Sequence, residues 1–146
     1  MDKMNLADLS IKEFLAKTAS GSPVPGGGSI AALSAAIAAS LAEMVAHLTI
    51  GKKGFATTEK QMKDIVKDAT DFRNELMKDI DRDSAAYDDV LTAFKLPKGN
   101  EQEADKRKQA IQDALKNAAM VPLDVAKKTM KIIEPVSYTH LTLPTN

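Results

Sequence analysis

The feature that most constrains the fold is a run of small and aliphatic residues from Ser29 to Ile50. The run predicts a long helix, and because small side chains lie on all sides of it, this helix needs close neighbours on more than one face. It is also long enough to raise the question of a membrane span. However, the run is mostly alanine and contains Glu43 and His47, which favours a buried helix of a water-soluble protein.

Helical patterns also flank this run. Ser10 and Glu13 have the spacing of a capping box, which predicts the start of a short amphipathic helix. After a turn that follows Ile50, a third periodic segment extends from about Thr58 to Phe94, and Gln61 is placed to form another capping box with Thr58.

A fourth helix is predicted to begin at Asn100, which forms a capping pattern with Glu103. Pro122 should kink or restart this helix, because proline removes a backbone hydrogen bond. No alternation typical of strands occurs before the C-terminal segment. Long helices with short connections predict an all-α fold, an antiparallel helical bundle.

Composition narrows the class of protein. The 146 residues suffice for one domain, and 20 Lys and Arg balance 20 Asp and Glu. Zero net charge gives no general attraction to nucleic acid or to a membrane, so we expect neither as a partner. Cysteine is absent, which excludes disulfides, cysteine-ligated zinc and a thiol nucleophile, and fits a cytoplasmic protein. The N-terminus, MDKMNLADLS, has no apolar signal core.

The composition changes after Pro135. Residues 136–146, VSYTHLTLPTN, carry no Asp, Glu, Lys or Arg and do not continue the pattern of the fourth helix. We therefore expect a helical domain at residues 1–135 and a non-native tail at residues 136–146, introduced by cloning or sequence assembly. The alternative is a genuine, frayed C-terminus.

The third helix contains a candidate catalytic acid. At about 100° per residue, its apolar residues form one stripe: Ile65, Ala69, Phe72, Leu76, Ile80, Tyr87, Val90 and Phe94. Asp83 falls at the centre of this stripe, whereas Asp81 and Asp88 project to the opposite side. Burial raises the pKa of a carboxyl, and such a group transfers protons near neutral pH. The alternatives, an aspartate satisfied by a backbone or serine contact or a stripe that rotates away here, stay open.

A glycine-rich loop precedes the second helix. It comprises Pro25, Gly26, Gly27, Gly28 and Ser29. The free N–H groups and the positive dipole end of the helix that follows suit a phosphate or a carboxylate. The loop has the spacing of neither a dinucleotide fingerprint nor a Walker loop, and no strand leads into it. The alternative is a tight turn whose glycines let helices pack closely.

Two charged pairs near the end of the second helix are weaker candidates. Lys52 and Lys53 are placed either to clamp an anionic substrate or to complement the helix dipole. Glu43 and His47 lie one turn apart, as metal ligands do, but no second histidine or carboxylate lies near them. We favour a solvated strip for Glu43 and His47 and predict no metal site.

Three segments, taken in order, carry a family resemblance: PVPGGGSIAALSAAIAASLAEMVAHLTIGKK, DIDRDSAAYDDVLTAFKLPKG and AMVPLDVAKK. From Leu9 to Glu134 the chain resembles the formiminotetrahydrofolate cyclodeaminase and methenyltetrahydrofolate cyclohydrolase family. The resemblance implies an all-helical homodimer that acts on folate one-carbon units without a metal or redox cofactor. It places the catalytic aspartate at Asp83, which the periodicity selects independently. It further implies that residues 25–29 and Lys52 and Lys53 line the folate site.

Several alternatives about function remain. Family members continue with further helices, so the resemblance implies a shortened member that lacks helices completing its pocket. The sequence does not separate the cyclodeaminase reaction from the cyclohydrolase reaction. The alternative from another class is a non-catalytic helical interaction module, in which the alanine-rich surface of the second helix is a dimerisation face and Asp83 is a satisfied core group.

Overall fold

The computed structural model describes residues 5–141, with side chains described as far as residue 133 and at Ser137. Its helices are α1 (Ile11–Thr18), α2 (Gly27–Thr49), α3 (Glu59–Phe94) and α4 (Glu101–Leu141), with 3-10 turns at Leu6–Asp8 and Ala56–Thr58. The described residues contain no β-strand. The prediction of an all-α fold is confirmed.

Helices α2, α3 and α4 form the bundle, and each packs against the other two. The contacts between α2 and α3 run in reversed order, since Ser29 bonds to Asp83 and Glu43 pairs with Arg73. The ion pairs between α3 and α4 are reversed in the same way. This order is that of an antiparallel bundle, as predicted.

Alanines bring α2 close to its neighbours, because they have no side chain beyond Cβ. The main core cluster combines alanines of α2 with larger residues from other elements: Leu6, Phe14, Ala32, Ala35, Ala36, Ala39, Leu76, Ile80, Val125 and Ile132. A smaller cluster toward the end of α2 contains Ala46, Met62 and Ile65. A larger residue at one of these alanine positions would force the helices apart.

One face of α2 has no cover within the described chain. Ile37, Leu41, Met44 and Leu48, here called the outer stripe, follow each other at spacings of three and four residues and are each at least 49% exposed. Among the described helices, α2 alone has the length and hydropathy of a membrane span. Core helices of water-soluble proteins can have the same length and hydropathy. In α2, 39% of the most apolar 18-residue window is buried. The expectation of close neighbours on more than one face therefore holds toward α3 and α4, whereas the outer stripe is exposed within one chain.

The apolar stripe of α3 is buried along most of its length. Its buried members are Ile65, Ala69, Leu76, Ile80 and Val90. In contrast, Tyr87 and Phe94 are 39% and 49% exposed. The reason is that α2 begins opposite Asp83, so the last turns of α3 continue past α2 without that neighbour. The predicted period is correct, but the stripe is not buried to its end.

Two predicted helix starts are confirmed by their hydrogen bonds. The Glu13 backbone N–H donates to the Ser10 hydroxyl at 3.3 Å, and the Ser10 N–H donates to the Glu13 carboxylate at 2.9 Å, which completes the capping box. The hydrogen bonds from the Ser10 hydroxyl and N–H also lower the pKa of Glu13. At the start of α4, the Glu103 N–H donates to the Asn100 side chain at 2.9 Å.

One predicted capping box does not form, and the restart of α4 at Pro122, one of two predicted alternatives, does not occur. The Thr58 hydroxyl donates to the Phe55 carbonyl instead of capping α3, so the second capping box does not form. Helix α4 is continuous through Pro122 instead of restarting there. Pro122 is exposed, so water can bond to the Ala118 carbonyl that proline leaves without a helical partner.

The C-terminal segment continues α4 as far as Leu141, beyond the change in composition at Pro135. Extending an existing helix adds a hydrogen bond for each residue, whereas starting one is costly, so residues with modest propensity can follow a long helix. Residues 142–146 lie outside the described residues. The division into a domain at 1–135 and a non-native tail at 136–146 stays a prediction.

Replacing Pro122 by alanine is expected to raise the free energy of unfolding by about 1–3 kcal/mol, because alanine restores the hydrogen bond to the Ala118 carbonyl. Chemical denaturation measures the change. Pro97→Ala, in the loop after α3, is the control and should give no gain. Equal stabilities of the Pro122→Ala variant and the original chain would contradict the expectation.

Candidate active site

Asp83, a residue of α3, lies beside the start of α2 and contacts Ser29, the last residue of the glycine loop. Its Oδ2 atom accepts hydrogen bonds from the Ser29 backbone N–H, at 2.8 Å, and from the Ser29 hydroxyl, at 3.0 Å. The Ser29 hydroxyl oxygen also lies 2.9 Å from the Ile80 carbonyl oxygen and 3.4 Å from the Ser84 hydroxyl oxygen. Ser29 is fully buried and Asp83 is half-buried. The structure therefore brings the candidate acid and the loop together.

The Ser29 hydroxyl lets this cluster hold Asp83 with or without a proton, because a hydroxyl can both donate and accept. When Asp83 is ionised, the hydroxyl donates to Oδ2. When Asp83 is protonated, Oδ2 can donate to the hydroxyl oxygen, whose own proton then turns to the Ile80 carbonyl. Both protonation states keep hydrogen-bond partners, which suits a group that gains and loses a proton.

Asp83 also completes the N-terminus of α2. The N-cap residue is Gly26, which has no side chain to accept a hydrogen bond. Ser29 is in the first turn, so its N–H has no partner within the helix. The Asp83 carboxylate supplies that partner, and its charge faces the positive end of the helix dipole. Backbone and serine contacts thus satisfy Oδ2, whereas Oδ1 accepts no hydrogen bond from the described residues.

Gly28 permits the close approach of α3. A Cβ atom added at Gly28 would overlap the Asp83 carboxylate, whereas a Cβ atom added at Gly27 would meet open space. Pro25 is buried, and Gly26 is the N-cap. The glycines are therefore not equivalent, since Gly28 makes room for Asp83 and Gly27 leaves the outer side of the helix start open.

Lys52 and Lys53 do not lie near Asp83 and the glycine loop. They are exposed in the turn that follows α2, whereas the glycine loop precedes it. The 23 residues of α2 separate the two groups by about 35 Å, at 1.5 Å per residue. The expectation that the lysines share a pocket with the loop is not met within a single chain.

Glu43 belongs to a structural cluster between α2 and α3, whereas the His47 side chain is 59% exposed. The Glu43 side chain is 18% exposed and accepts hydrogen bonds from Thr70, at 2.9 Å, and Arg73, at 3.1 Å. His47 Nε2 lies 3.8 Å from the same carboxylate. Glu43 is thus a paired group and not part of a solvated strip. Among the side chains that the structure describes, no group of three or more His, Cys, Asp or Glu is arranged to hold a metal ion.

Two other acidic residues of this part of α3, Asp81 and Asp79, have partners elsewhere. Asp81 contacts the 3-10 turn at Leu6–Asp8, where it accepts hydrogen bonds from the backbone N–H groups of Leu6 and Ala7. The sequence analysis missed Asp79, which is buried at 2% exposure and pairs with Lys128 at 2.6 Å. The sequence contained one indication of this pair, since Lys128 belongs to the AMVPLDVAKK segment that carries the family resemblance.

Replacing Gly28 by alanine is expected to displace Asp83, because the added methyl group overlaps its carboxylate. The free energy of unfolding should fall by about 1–3 kcal/mol, as in other overpacked sites. Gly27→Ala is the matched control and should leave stability unchanged or higher, since alanine favours a helix and its methyl group meets open space. Thermal denaturation compares the two, and equal losses would contradict the assigned role of Gly28.

Two relatives resemble the chain in sequence. Methenyltetrahydrofolate cyclohydrolase of Methylorubrum extorquens is 39% identical over 125 residues, which are 86% of this chain. Formimidoyltransferase-cyclodeaminase of Rattus norvegicus is 34% identical over 130 residues, which are 89% of this chain. The chain spans 60% of the length of the first relative and 24% of the second.

A solved structure shares the fold. Formiminotetrahydrofolate cyclodeaminase from Thermotoga maritima has a TM-score of 0.73 and 34% sequence identity, and the match covers 92% of this chain and 61% of that chain. The sequence profile of one family, Formiminotransferase-cyclodeaminase, matches residues 10–140, which include the glycine loop and Asp83. The chain therefore belongs to the formiminotransferase-cyclodeaminase family.

Proposed function

We propose that the chain is a folate one-carbon enzyme, which interconverts 5-formimino- or 10-formyl-tetrahydrofolate and 5,10-methenyltetrahydrofolate. The observation that carries this proposal is the Asp83 carboxylate, held at the start of α2 by Ser29 while Oδ1 takes no hydrogen bond from the described residues. The names of the relatives, a cyclohydrolase and cyclodeaminases, supply the substrate class.

Both candidate reactions pass through a tetrahedral carbon between N5 and N10 of the folate. In the cyclodeaminase reaction, N10 attacks the formimino carbon on N5 and gives up its proton. The formimino nitrogen takes up that proton and a second one, its bond to the carbon breaks, and it leaves as ammonia. In the cyclohydrolase reaction, water attacks the methenyl carbon and its oxygen loses both protons in turn. N5 takes up one of these protons as its bond to the carbon breaks, and the other is released with the 10-formyl product. Each reaction needs a group beside this carbon that accepts and returns a proton.

Asp83 is the proposed catalytic residue, because its cluster with Ser29 accommodates both protonation states. As a carboxylate it also favours the adjacent methenyl cation electrostatically. The first amides of α2, at Gly27 and Gly28, are proposed to bind the polar groups of the folate, with Pro25 and Gly26 shaping the loop. The proposal includes a cytoplasmic location and requires neither a metal nor a redox cofactor.

We further propose a homodimer in which two copies pack through the outer stripe of α2. Antiparallel packing about a two-fold axis places Ile37 opposite Leu48 and Leu41 opposite Met44, so the stripe is complementary to itself. In this arrangement Lys52 of the second copy lies level with Leu33. That level is about 7 Å along the helix from Gly28. The lysines would then approach the glycine loop of the partner.

The alternative function is a non-catalytic helical interaction module. Two observations favour it: the outer stripe is exposed in a single chain, and Asp83 already has a structural role as the cap of α2. This alternative predicts no turnover of any folate, and it predicts that substitutions of Asp83 alter only stability.

Asp83→Asn is expected to lower turnover by about 100-fold or more, because asparagine cannot exchange a proton with the substrate. Asparagine caps helices as well as aspartate does, so the variant should stay folded. Absorbance of the methenyl folate measures its formation from the formimino substrate and its loss to water, which separates the two reactions. Asp81→Asn is the control and should retain turnover. Normal turnover by the Asp83→Asn variant would exclude the catalytic assignment.

Leu41→Glu is expected to shift the chain from dimer to monomer, because it places a charge at the centre of the outer stripe. Sedimentation velocity measures the change. Leu15→Glu, at an equally exposed position on α1, is the control and should leave the dimer intact. A Leu41→Glu variant that sediments like the original chain would rule out this interface.

Mixing two inactive chains tests whether the dimer shares its sites. A mixed dimer of the Asp83→Asn chain with a Lys52→Met/Lys53→Met chain contains one site with an intact Asp83 and intact lysines. Turnover should therefore reappear on mixing if the lysines come from the partner. It should stay absent if each site is built from one chain.

A further inference from the structure

Asp79 is the buried centre of an ion-pair network that joins α3 to α4. Its Oδ2 atom lies 2.6 Å from Lys128 Nζ, and its Oδ1 atom lies 3.2 Å from Arg82 Nη1. Lys128 also pairs with Glu75, at 3.2 Å, and Arg82 pairs with Asp124, at 2.7 Å. The only nearly inaccessible carboxylate of the described residues is thus held on both sides by cations.

The network favours the charged forms of Lys128, Arg82 and Asp124. Burial acts to lower the pKa of Lys128, but the hydrogen bonds and charges of Asp79 and Glu75 outweigh it and raise that pKa above its ordinary value of 10.5. The hydrogen bond between Arg82 and Asp124 raises the pKa of Arg82 and lowers that of Asp124. Lys128 therefore stays charged at neutral pH, and the stability it adds is lost only as the pH rises through its raised pKa.

The network occupies the helical turn that carries Asp83. Asp79 and Asp83 are four residues apart on α3, so their Cβ atoms are neighbours at about 5–6 Å. From this one turn, Asp79 reaches α4 through Lys128, and Asp83 reaches α2 through Ser29. The rotation of α3 about its axis is thus set by contacts on two sides.

Loss of the Lys128 charge would leave the Asp79 carboxylate buried and underpaired, which is strongly destabilising. The local way to relieve this is a rotation of the α3 turn that moves Asp79 toward water. Asp83 is on the same turn, and its carboxylate occupies the space that a Cβ atom would fill at Gly28. The same rotation would therefore withdraw Asp83 from Gly28 and Ser29.

We propose that Lys128 is a positioning residue for Asp83, since by neutralising Asp79 it fixes the rotation of α3 at which the Asp83 carboxylate meets Gly28 and Ser29. Lys128 acts through Asp83 and not on the substrate. The catalytic consequence of this inference rests on the proposed folate activity, but its structural consequence does not.

The Ser29 backbone N–H reports the position of Asp83 without any substrate. Its hydrogen bond goes to the Asp83 carboxylate, so its amide hydrogen exchange depends on that contact. The next amide, of Ile30, donates to the Gly26 carbonyl at 3.1 Å and reports the helix itself. The two neighbouring amides therefore separate a displaced Asp83 from a frayed α2.

The experiment compares Lys128→Met with Lys127→Met, an exposed neighbour, and with Lys128→Arg, which keeps the charge. In Lys128→Met we expect Ser29 to exchange about tenfold faster or more while Ile30 stays unchanged. Turnover should fall about tenfold or more with KM within about twofold of the original value, because the acid is misplaced while the substrate still binds. Both control variants should behave like the original chain.

A double variant, Asp79→Leu/Lys128→Met, removes both buried charges and should restore Ser29 protection and turnover. The proposal is overturned if Ser29 exchange and turnover are unchanged in folded Lys128→Met, if Ser29 and Ile30 accelerate equally, or if the folded double variant is not restored. If the original chain has no folate turnover but Lys128→Met still exposes Ser29, the proposed function fails and the positioning role stands.

Discussion

The start of α2 depends on a hydrogen-bond acceptor that α2 itself does not have. The N-cap residue, Gly26, has no side chain to accept a hydrogen bond, and the Asp83 carboxylate accepts one from α3 instead. A cap of this kind contributes about 0.5–2 kcal/mol, and it works only because Gly28 leaves room for the carboxylate. The helix start, the packing of α3 against α2 and the proposed catalytic acid are therefore one arrangement. Asp83 has to cap α2 and, in the proposed reaction, also gain and lose a proton. The Ser29 hydroxyl makes both compatible, because it offers Asp83 a partner in either protonation state.

The periodicity of α3 identified Asp83 because backbone geometry sets which residues share a face. The same reasoning missed Asp79, since its burial depends on Lys128, 49 residues later in the chain, which no local pattern reveals. It also predicted burial for Tyr87 and Phe94, which are exposed because α2 begins opposite Asp83. Local patterns thus identified the face, and only the packing of other helices decided how far that face is buried.

Helix caps show the same limit. The cap at Ser10 is closed by hydrogen bonds within four residues and was predicted. At Thr58 a preceding turn offers its hydroxyl the Phe55 carbonyl, and the predicted cap does not form. The alanine-rich composition of α2 correctly indicated close neighbours. It could not indicate that the outer stripe has no neighbour within a single chain. Lys53 is far from the glycine loop because α2 is long. The order of the motifs along the sequence does not reveal this distance.

Two contacts at well-separated points lock α2 to α3, and they restrict how these helices can change in length. Ser29 meets Asp83 at one point, and Glu43 meets Arg73 at another. Inserting one residue between these points turns the far part of a helix by about 100° and lengthens it by about 1.5 Å, so both contacts cannot survive. An insertion of about two full turns, near seven residues, would restore the faces, but in one helix it would still move the far contact by about 10 Å. Length variation among related chains should therefore fall in the loops and not in residues 29–43 or 73–83.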